Sequence, residues 1–468
     1  MQVTIEAMPS ATPQFDAALR IIAALCAAGH QAYLAGGCVR DLLLNREPHD
    51  YDVATSATPD VVLNLFPRTF AVGAHFGVVL IATEESRSSE CIEVATFRSD
   101  GAYSDGRHPD AVRYTLSAEE DVRRRDFTIN GLLLDPLRLP GSIIDLHQKT
   151  SAVRAGLVDH VHGLADLNAG IIRAIGQPAE RFEEDHLRML RAVRFAARFG
   201  FEIEPVTAAA MRRLAGKTKA VSRERLRDEL TKMLTEGHAR RAFELLDETG
   251  LLAEVLPEVA RMKGVEQPPQ FHPEGDVWLH ALGLLDQLEA GCPLSLAWAA
   301  LLHDVGKPAT FRRAERIRFD GHVEVGVAIA AESCRRFRFS NDETRQTLSL
   351  IENHMRFADA PRMKASTLKR FFRLENFPQH LALHRMDCLA GSGSLDHWNY
   401  VRERYESMPE EAVRPAPLLT GRELIAAGYT PGPDFRPMLR AVEDAQLEGA
   451  ISTPDEALAL LRDRFPLA

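Results

Sequence analysis

Two aspartates separated by one residue begin the segment DYDVAT, residues 50–55, directly before a short β-prone run. In an extended strand, residues two apart point to the same side, so Asp50 and Asp52 project their carboxylates together while Tyr51 faces away. Two like charges this close are costly unless a cation lies between them. Hard Mg²⁺ prefers oxygen ligands and takes further ligands from substrate phosphates. The pair therefore predicts metal-dependent phosphoryl or nucleotidyl transfer, with both aspartates as catalytic metal ligands.

A glycine turn ahead of this pair is suited to binding a triphosphate. Gly36 and Gly37 stand just before an expected helix, where backbone N–H groups can approach phosphate. Arg40 adds a positively charged guanidinium one helical turn later. Glu93, in the β-prone run 91–97, is a possible third carboxylate ligand. Because a lone D-x-D pair also occurs by chance on surface strands, the glycine turn and the arginine are needed to strengthen the metal hypothesis.

A second set of polar groups lies in residues 183–201, EEDHLRMLRAVRFAARFGF. Four of them follow one another at intervals of three: Asp185, Arg188, Arg191 and Arg194. On a helix this spacing makes one slowly drifting polar edge. Cytosine and adenine share a donating amine beside an accepting ring nitrogen. Asp185 can accept from the amine and Arg188 can donate to the ring nitrogen. Uracil and guanine present a carbonyl and an N–H there instead, and each unpaired buried polar group costs roughly 1 to 3 kcal/mol. The alternative is an amphipathic helix whose arginines only pair with neighbouring glutamates.

Together with VRRRDFTINGLLLD, residues 122–135, these motifs occur in an order that resembles the class II tRNA nucleotidyltransferase and poly(A) polymerase family, and its bacterial CCA-adding members most closely. The likeness runs from Gly36 to the C-terminal LLTGRELIAAGYTPGPDF. It implies Mg²⁺-dependent transfer of nucleotides from CTP and ATP to the 3′ end of tRNA. It also implies a nucleotide-binding set: Gly36, Gly37, Arg40, Arg125, Asp126, Asn130, Asp185, Arg188, Arg191 and Arg194.

The segment TFRSDGAYSDGRHPDAV, residues 96–112, is polar and predicts a mobile loop. In the family a loop here helps the change from adding C to adding A, and relatives that add only CC lack it. Its presence favours a full CCA-adding enzyme or an A-adding enzyme, and the sequence leaves these two and a poly(A) polymerase open. A tRNA-binding scaffold without activity has little support, because binding alone gives no reason for the aspartate pair.

The segment LLHDVGKP, residues 301–308, resembles the HD superfamily of metal-dependent phosphohydrolases. The resemblance implies a second divalent-metal site formed by His280, His303, Asp304, His354 and Asp387. Imidazole and carboxylate ligands suit Mn, Fe, Ni or Mg, and a bound water becomes the nucleophile. His272 and His322 are near enough in sequence to serve as further ligands. The alternative is a relic helix in which these residues are only packed and hydrogen-bonded.

The elements that must position these residues form, by pattern, an α/β head followed by helices. Short β-branched runs between residues 32 and 116 predict one mixed sheet with flanking helices, and residues 13–30 predict a helix. Strand signals end near residue 155, so an elongated, all-α remainder is expected. The expected divisions are a nucleotidyltransferase head (residues 1–155), a base-selecting and RNA-binding neck (156–245), an HD-like helical body (246–405) and a tRNA-binding helical tail (406–468).

The composition is typical of a soluble globular protein, with 45% hydrophobic and 26% charged residues among 468. A net charge of -10 argues against general nucleic-acid binding, but residues 181–241 contain 15 Lys and Arg against 9 Asp and Glu. This local excess indicates either a confined polyanion site or a solvated helix face. Six cysteines without CxxC spacing argue against zinc cages and disulfides. A cytoplasmic protein is expected, with no membrane span and no implied protein partner.

Overall fold

The computed structural model describes residues 13–70, 77–82, 91–101, 112–139, 153–270 and 272–467. The chain divides into two compact units. The first unit comprises residues 1–233 and 241–255, and the second comprises residues 234–240 and 256–468. The division into four parts expected from the sequence stays a prediction. Most of the predicted loop at 96–112 lies outside the described residues.

Strands are short and occur mainly before residue 160. They are β1 (Ala32–Ala35), β2 (Val53–Thr55), β3 (Thr69–Phe70), β4 (Val78–Ala82), β5 (Cys91–Thr96), β6 (Arg98–Asp100), β7 (Val112–Tyr114), β8 (Leu132–Leu134), β9 (Leu157–Asp159), β10 (Ile171–Ile172), β11 (Glu202–Ile203), β12 (Arg312–Arg313) and β13 (Ile317–Arg318).

Helices make up most of the remainder. Up to residue 255 they are α1 (Pro13–Ala27), α2 (Gly37–Leu43), α3 (Pro59–Leu65), α4 (Ala118–Arg123), α5 (Gly163–Ala169), α6 (Pro178–Glu184), α7 (Leu187–Phe199), α8 (Pro205–Leu214), α9 (Arg223–Thr235), α10 (Ala239–Glu248) and α11 (Leu251–Val255). Beyond it they are α12 (Pro257–Ala260), α13 (Val277–Leu285), α14 (Leu294–Leu302), α15 (Lys307–Thr310), α16 (His322–Arg336), α17 (Asn341–Asn353), α18 (Ala365–Phe372), α19 (Phe377–Ala390), α20 (Asp396–Ser407), α21 (Glu410–Val413), α22 (Gly421–Ala426), α23 (Phe435–Glu448) and α24 (Pro454–Arg464).

The first unit is built on a seven-stranded sheet in the order β3-β4-β5-β2-β1-β8-β9. The sheet is mixed, because β2 and β5 run parallel while the other neighbouring pairs are antiparallel. Its central strands β2 and β8 are buried throughout, as expected for residues covered on both faces. The predicted mixed sheet with flanking helices is therefore confirmed.

Two details of the sequence prediction are wrong. Strands do not end near residue 155, because β9 pairs with β8 at the edge of the main sheet and β10 pairs with β11. The strand β7 does not belong to the main sheet either, since it pairs with β6 in a separate two-stranded sheet. Strands β9, β10 and β11 have only two or three residues and depend on their partners rather than on a long alternating pattern, so the sequence alone did not reveal them.

The second unit is predominantly helical, in agreement with the predicted helical body. Its apolar helix α14 has every residue from Ser295 to Leu302 buried, and Trp298 packs edge-on against Phe339 with ring centroids 5.1 Å apart. The chain leaves this helix at His303 and Asp304, so these polar residues are carried into the interior by apolar burial. Within the described residues, no helix is both long and apolar enough to span a bilayer.

Candidate functional site

A cleft of about 570 Å³ in the first unit gathers all the residues that the sequence predicted as catalytic or nucleotide-binding in the head and neck, whereas Glu93, the possible third carboxylate, is not among the residues that line it. We call it the head cleft. Its lining is strongly basic and consists of Gly36, Gly37, Arg40, Asp50, Asp52, Arg124, Arg125, Asp126, Asn130, Asp185, Leu187, Arg188, Arg191, Arg194, Phe195 and Arg225. The sequence missed four of these residues: Arg124, Leu187, Phe195 and Arg225.

The aspartate pair faces this cleft because of the alternation expected for extended chain. Tyr51 is 1% exposed and packs on Phe15, with ring centroids 5.2 Å apart, while its two neighbours line the cleft. The Asp52 carbonyl accepts a hydrogen bond from the Ala35 N–H at 3.0 Å, which extends the β1–β2 pairing beyond Val53. The pair thus lies just ahead of β2 rather than inside it.

The carboxylates near β2 are electrostatically crowded. Val53 pairs with Val94 in the parallel register of β2 and β5, so Glu93 lies beside Asp52. Burial, followed by the charges of Glu93 and Asp50, raises the pKa of Asp52 to about 7, although Arg125 opposes the rise. Desolvation and the charge of Asp50 raise the pKa of Glu93 as well. Such crowding favours a bound cation.

The glycine turn is shaped by close approach. Gly36 has φ 72°, a conformation that side-chain-bearing residues rarely adopt, and a Cβ there would lie 3.1 Å from Arg125 Nη1. Arg40 is buried, and its guanidinium donates to Asp41 and to the side-chain oxygen of Asn130. It also stacks 4.6 Å from the ring centroid of Phe199. The arginine is therefore held rigidly at the cleft wall.

Asp126 connects several elements of the cleft. One of its oxygens accepts from the Phe127 N–H at 2.8 Å and from Asn130 Nδ2 at 3.0 Å, and the other accepts from Arg191 Nη2 at 2.7 Å. Burial alone would raise the pKa of Asp126, but Arg191 and Asn130 overcome this effect and lower it to about 2. Asp126 and Asn130 therefore organise the arginines that surround them.

Asp185 and Arg188 lie in the same cleft but not on one continuous helix. Helix α6 ends at Glu184 and α7 begins at Leu187, so the predicted single helical edge is wrong at Asp185. The Asp185 carboxylate accepts the Leu187 N–H at 3.1 Å. An aspartate that satisfies a free N–H at a helix start favours such a break over continued helix.

Arg225, on α9, holds Asp185 with two hydrogen bonds. Its Nη2 donates to Asp185 Oδ2 at 2.7 Å and its Nη1 donates to Oδ1 at 3.2 Å. The neighbouring Glu229 accepts from Arg194 Nε at 2.7 Å. The excess of basic residues over 181–241 marked this segment, but the pairing of side chains 40 residues apart required the fold.

Arg188 is also engaged by internal partners. Its Nη1 donates to Glu184 Oε2 at 2.7 Å and its Nη2 donates to the Arg124 carbonyl at 3.2 Å. Pairing with a neighbouring glutamate, the alternative weighed from the sequence, therefore occurs. It does not exclude a nucleotide, because a guanidinium has five N–H donors.

A second group of titratable residues comes together in the second unit. We call it the body cluster, and its members are His272, Glu274, His280, His303, Asp304, His322, His354 and Asp387. All five residues predicted for a second metal site belong to it. Three triads within it have one potential ligand atom per residue, all within 4.8 Å of one another: His272–Glu274–His280, His280–His303–Asp304 and Asp304–His322–His354. Asp50, Asp52 and Glu93 are not among the triads that meet this criterion in the described part of the chain.

His280 lies between two carboxylates in this cluster. Its Nδ1 is 2.7 Å from Glu274 Oε1 and its Nε2 is 3.0 Å from Asp387 Oδ1. Burial opposes protonation, but the hydrogen bonds to Asp387 and Glu274 raise the pKa of His280 to about 9. Burial raises the pKa of Asp387, yet His280 more than reverses this effect and lowers it.

Three family models match successive parts of the chain. They are the Poly A polymerase head domain over residues 32–173, the probable RNA and SrmB-binding site of polymerase A over 200–263, and the HD domain over 276–408. These matches follow the order in which the head cleft, the basic segment and the body cluster occur.

Curated relatives with similar sequences are CCA-adding enzymes. The enzyme of Streptococcus pneumoniae is 31% identical over 461 residues, which cover 98% of this chain and 98% of that enzyme. The enzyme of Lactobacillus johnsonii is 38% identical over 273 residues, covering 58% of this chain and 63% of that enzyme. The crystal structure of Bacillus stearothermophilus CCA-adding enzyme in complex with CTP is 27% identical, with a TM-score of 0.70 over 97% of this chain and 98% of that chain.

Proposed function

This chain belongs to the family of CCA-adding enzymes, and from that premise we propose that it adds C, C and A to the 3′ end of tRNA from CTP and ATP, without a nucleic-acid template. The observation that carries the proposal is the convergence of the aspartate pair, the glycine turn and the Asp185–Arg188 pair on one cleft. The relatives do not favour the A-adding and poly(A) polymerase alternatives, since those we compared are CCA-adding enzymes.

Base selection follows from the donors and acceptors that remain available in the head cleft. Asp185 Oδ2 accepts one hydrogen bond from Arg225, and a carboxylate oxygen can accept a second, from the amine of cytosine or adenine. Arg188 donates to Glu184 and to the carbonyls of Arg181 and Arg124, and two of its five N–H groups remain for the ring nitrogen. Uracil and guanine would oppose donor to donor and acceptor to acceptor.

The transfer forms one phosphorus–oxygen bond and breaks another. The 3′ oxygen of tRNA loses its proton and bonds to the α-phosphorus of the nucleotide, while the bond from that phosphorus to pyrophosphate breaks. Arg40 and Arg125, with the N–H group of Gly37, are placed to hold the triphosphate, whereas the Gly36 N–H donates to the Leu132 carbonyl at 3.1 Å and Gly36 shapes the turn. Arg191 and Arg194 extend the positive surface along α7.

Asp50 and Asp52 are proposed to hold Mg²⁺ in this reaction. The raised pKa of Asp52, caused first by burial and then by the charges of Glu93 and Asp50, supports this assignment because a bound cation would offset both effects. One or two carboxylates suit Mg²⁺, whose other positions go to phosphate oxygens and water. When bound, the ion supplies charge stabilisation at the α-phosphate and the leaving pyrophosphate.

The acceptor is proposed to be bound by shape and charge. Residues 181–241 are basic in an otherwise acidic chain and overlap the segment that matches the RNA-binding family model. We also propose the four parts head, neck, body and tail, with the last two boundaries at 245 and 405. The first boundary moves from 155 to beyond Asp159, because β9 pairs with β8 in the main sheet of the head. The cytoplasm, where tRNA and nucleoside triphosphates meet, is the proposed site of action.

Replacing Asp52 with alanine tests the assignment. With tRNAs that end before CCA, after the first C and after CC, the parent chain should add only the nucleotide each end requires. D52A should lower the rate of every addition by at least about 100-fold because charge stabilisation at the phosphate is lost. Binding of tRNA, followed by fluorescence anisotropy, should persist.

The matched control is D60A, which removes an exposed aspartate from the first turn of α3, away from the head cleft. It should add nucleotides at the parent rate. Normal incorporation by D52A would contradict the role of the aspartate pair, and use of ATP but not CTP on the shortest tRNA would indicate an A-adding enzyme.

A second function is proposed for the body cluster, namely hydrolysis of phosphate esters with a divalent ion. His280, His303, Asp304 and Asp387 supply imidazole and carboxylate atoms at separations of 3.0–4.0 Å, which suit one ion. In the reaction, the oxygen of water bonds to phosphorus, the ester bond breaks, and the proton of water passes to the leaving oxygen. The comparisons do not favour hydrolysis as the main activity of the chain, so this function accompanies nucleotide addition.

A further inference from the structure

Asp121 is a buried carboxylate behind the wall of the head cleft. It lies on α4, is 1% exposed and is not among the residues that line the cleft. Arg124 and Arg125 follow it three and four positions later, and side chains at these intervals meet on a helical turn. Both arginines line the cleft. The carboxylate therefore supports two of the cations of the cleft from behind.

The two oxygens of Asp121 have different partners. Oδ1 accepts from Arg124 Nε at 2.9 Å and from the Arg98 N–H at 3.3 Å, and Arg124 Nη2 lies 2.8 Å from it. Oδ2 accepts from Arg125 Nη2 at 3.1 Å. The contacts to Oδ1 restrict the orientation of the carboxylate, because charge-assisted hydrogen bonds are short and directional. Oδ2 is therefore held in one direction, toward Arg125.

Arg125 has no other hydrogen-bond partner in the described part of the chain. Its Nη1 faces the glycine turn, since a Cβ at Gly36 would lie 3.1 Å from it, and its Nε is buried without a partner. A guanidinium has five N–H groups, of which Asp121 accepts one. Buried N–H groups without acceptors are costly, so the remaining donors favour a ligand oxygen in the cleft. The direction of these donors is set by Asp121.

The charge of Asp121 and its position have opposite effects on a bound polyphosphate. Burial would raise the pKa of Asp121, but Arg124 and Arg125 more than reverse this effect and lower the pKa, so the carboxylate is ionised at neutral pH. A negative charge close behind the cleft weakens the attraction for a polyphosphate. Removing the charge would therefore strengthen the binding of CTP, whereas releasing Arg125 would weaken it. The sign of the change distinguishes the two effects.

We propose that Asp121 is a positioning residue for nucleotide addition, which holds the Arg125 guanidinium against the glycine turn so that its free N–H groups meet the triphosphate. The inference rests on the proposed function and adds to it a residue that does not touch the nucleotide. Arg125 transmits the effect of Asp121 to the phosphates. Because a nucleoside monophosphate lacks the β- and γ-phosphates, the effect should be larger for a triphosphate.

The test measures the binding of CTP and of CMP to the full chain by isothermal titration calorimetry with Mg²⁺ present. D121N should raise the Kd for CTP by about 10-fold, because the charge-assisted hydrogen bond that orients Arg125 is lost, and should leave the Kd for CMP within about 2-fold. In assays of C addition the KM for CTP should rise as well, while the KM for tRNA stays unchanged. The matched control is E119Q, on the same helix, whose carboxylate pairs with Arg123 at an exposed site. It should bind CTP like the parent.

A double-mutant cycle shows whether Asp121 acts through Arg125. In an R125A background, D121N should change kcat/KM for CTP by less than about 2-fold, because the group that Asp121 orients is absent. D121E keeps the charge and displaces the carboxylate by one methylene group. It replaces D121N in both experiments if circular dichroism shows that D121N does not fold, and it should weaken CTP binding only where Arg125 is present.

Unchanged or tighter binding of CTP by the folded variant would overturn the inference, because the charge of Asp121 would then outweigh its effect on Arg125. An equal loss for CTP and CMP, or the same loss in the R125A background, would also overturn it, since both results indicate general damage to the head. A parent chain that adds no C to tRNA lacking CCA would overturn the proposed function, and this inference with it.

Discussion

Asp126 is the residue on which the polar contacts of the head cleft converge. Its carboxylate joins the 3₁₀ turn Thr128–Asn130 to α7 through Asn130 and Arg191. Because its pKa falls to about 2, the charged form is strongly favoured in the folded state. A group with a lowered pKa contributes stability above its unfolded value near 4, and the contribution disappears as the pH falls through 2.

D126N should therefore destabilise the chain by about 2 kcal/mol at pH 7. The difference should shrink below pH 4 and vanish as the pH falls below about 2, because the parent carboxylate is then protonated in the folded state as well. Urea unfolding followed by circular dichroism across this range measures it. D60N, at an exposed site, should show no such trend, and a difference between D126N and the parent that does not change with pH would show that Arg191 does not stabilise the charged form.

Single residues differed in how far the sequence revealed them. The alternation around Tyr51 placed Asp50 and Asp52 on one side, since period-two geometry is local. The distant partners of Arg40 and Arg188 could not be predicted, because Asn130 and the Arg124 carbonyl approach them from other segments of the chain. Spacing identifies which residues carry charge, whereas pairing depends on the packed chain.

At the scale of elements, α9 supports the base-selecting residues of the head cleft. It contributes Arg225 to Asp185 and Glu229 to Arg194. Asp185 lies in the break between α6 and α7 and so belongs to neither helix. Its carboxylate is therefore positioned by α9. The sequence marked α9 as basic but could not indicate that it braces another element.

R225A should raise KM for both CTP and ATP by about 10- to 100-fold, since a charge-assisted pair worth about 1.5–3 kcal/mol is lost. It should also raise misincorporation of U and G, because Asp185 can then turn away from the base. Single-nucleotide incorporation with all four triphosphates measures both effects.

R227A is the matched control, since Arg227 lies on the same helix, pairs with Asp228 and does not line the head cleft. It should behave like the parent. A lower kcat with unchanged selectivity in R225A would indicate that Arg225 acts only through general stability.

For the whole molecule, the two proposed sites are built from separate parts of the chain. Every residue that lines the head cleft belongs to the first unit, and every member of the body cluster belongs to the second. The family resemblance predicted this order of parts correctly. The short strands β9 to β11 escaped prediction, because β9 depends on its pairing with β8 and β10 and β11 depend on each other.

Separate variants should therefore remove separate activities. H303A should abolish release of phosphate from 2′,3′-cyclic or 2′-phosphorylated nucleotides while CCA addition continues at the parent rate. D52A should do the opposite. Assays of both activities on both proteins measure this independence, and loss of nucleotide addition in H303A would contradict it.

The two hydrogen bonds from Arg225 to Asp185 have a consequence for redesigning the enzyme. A D185N substitution, made so that the enzyme accepts uracil, would place the amide nitrogen against either the Arg225 guanidinium or the Leu187 N–H. Both of these groups are hydrogen-bond donors, so neither can accept a hydrogen bond from the amide. A change in nucleotide specificity therefore requires substitutions at positions 185 and 225 together, with a hydrogen-bond acceptor in place of Arg225.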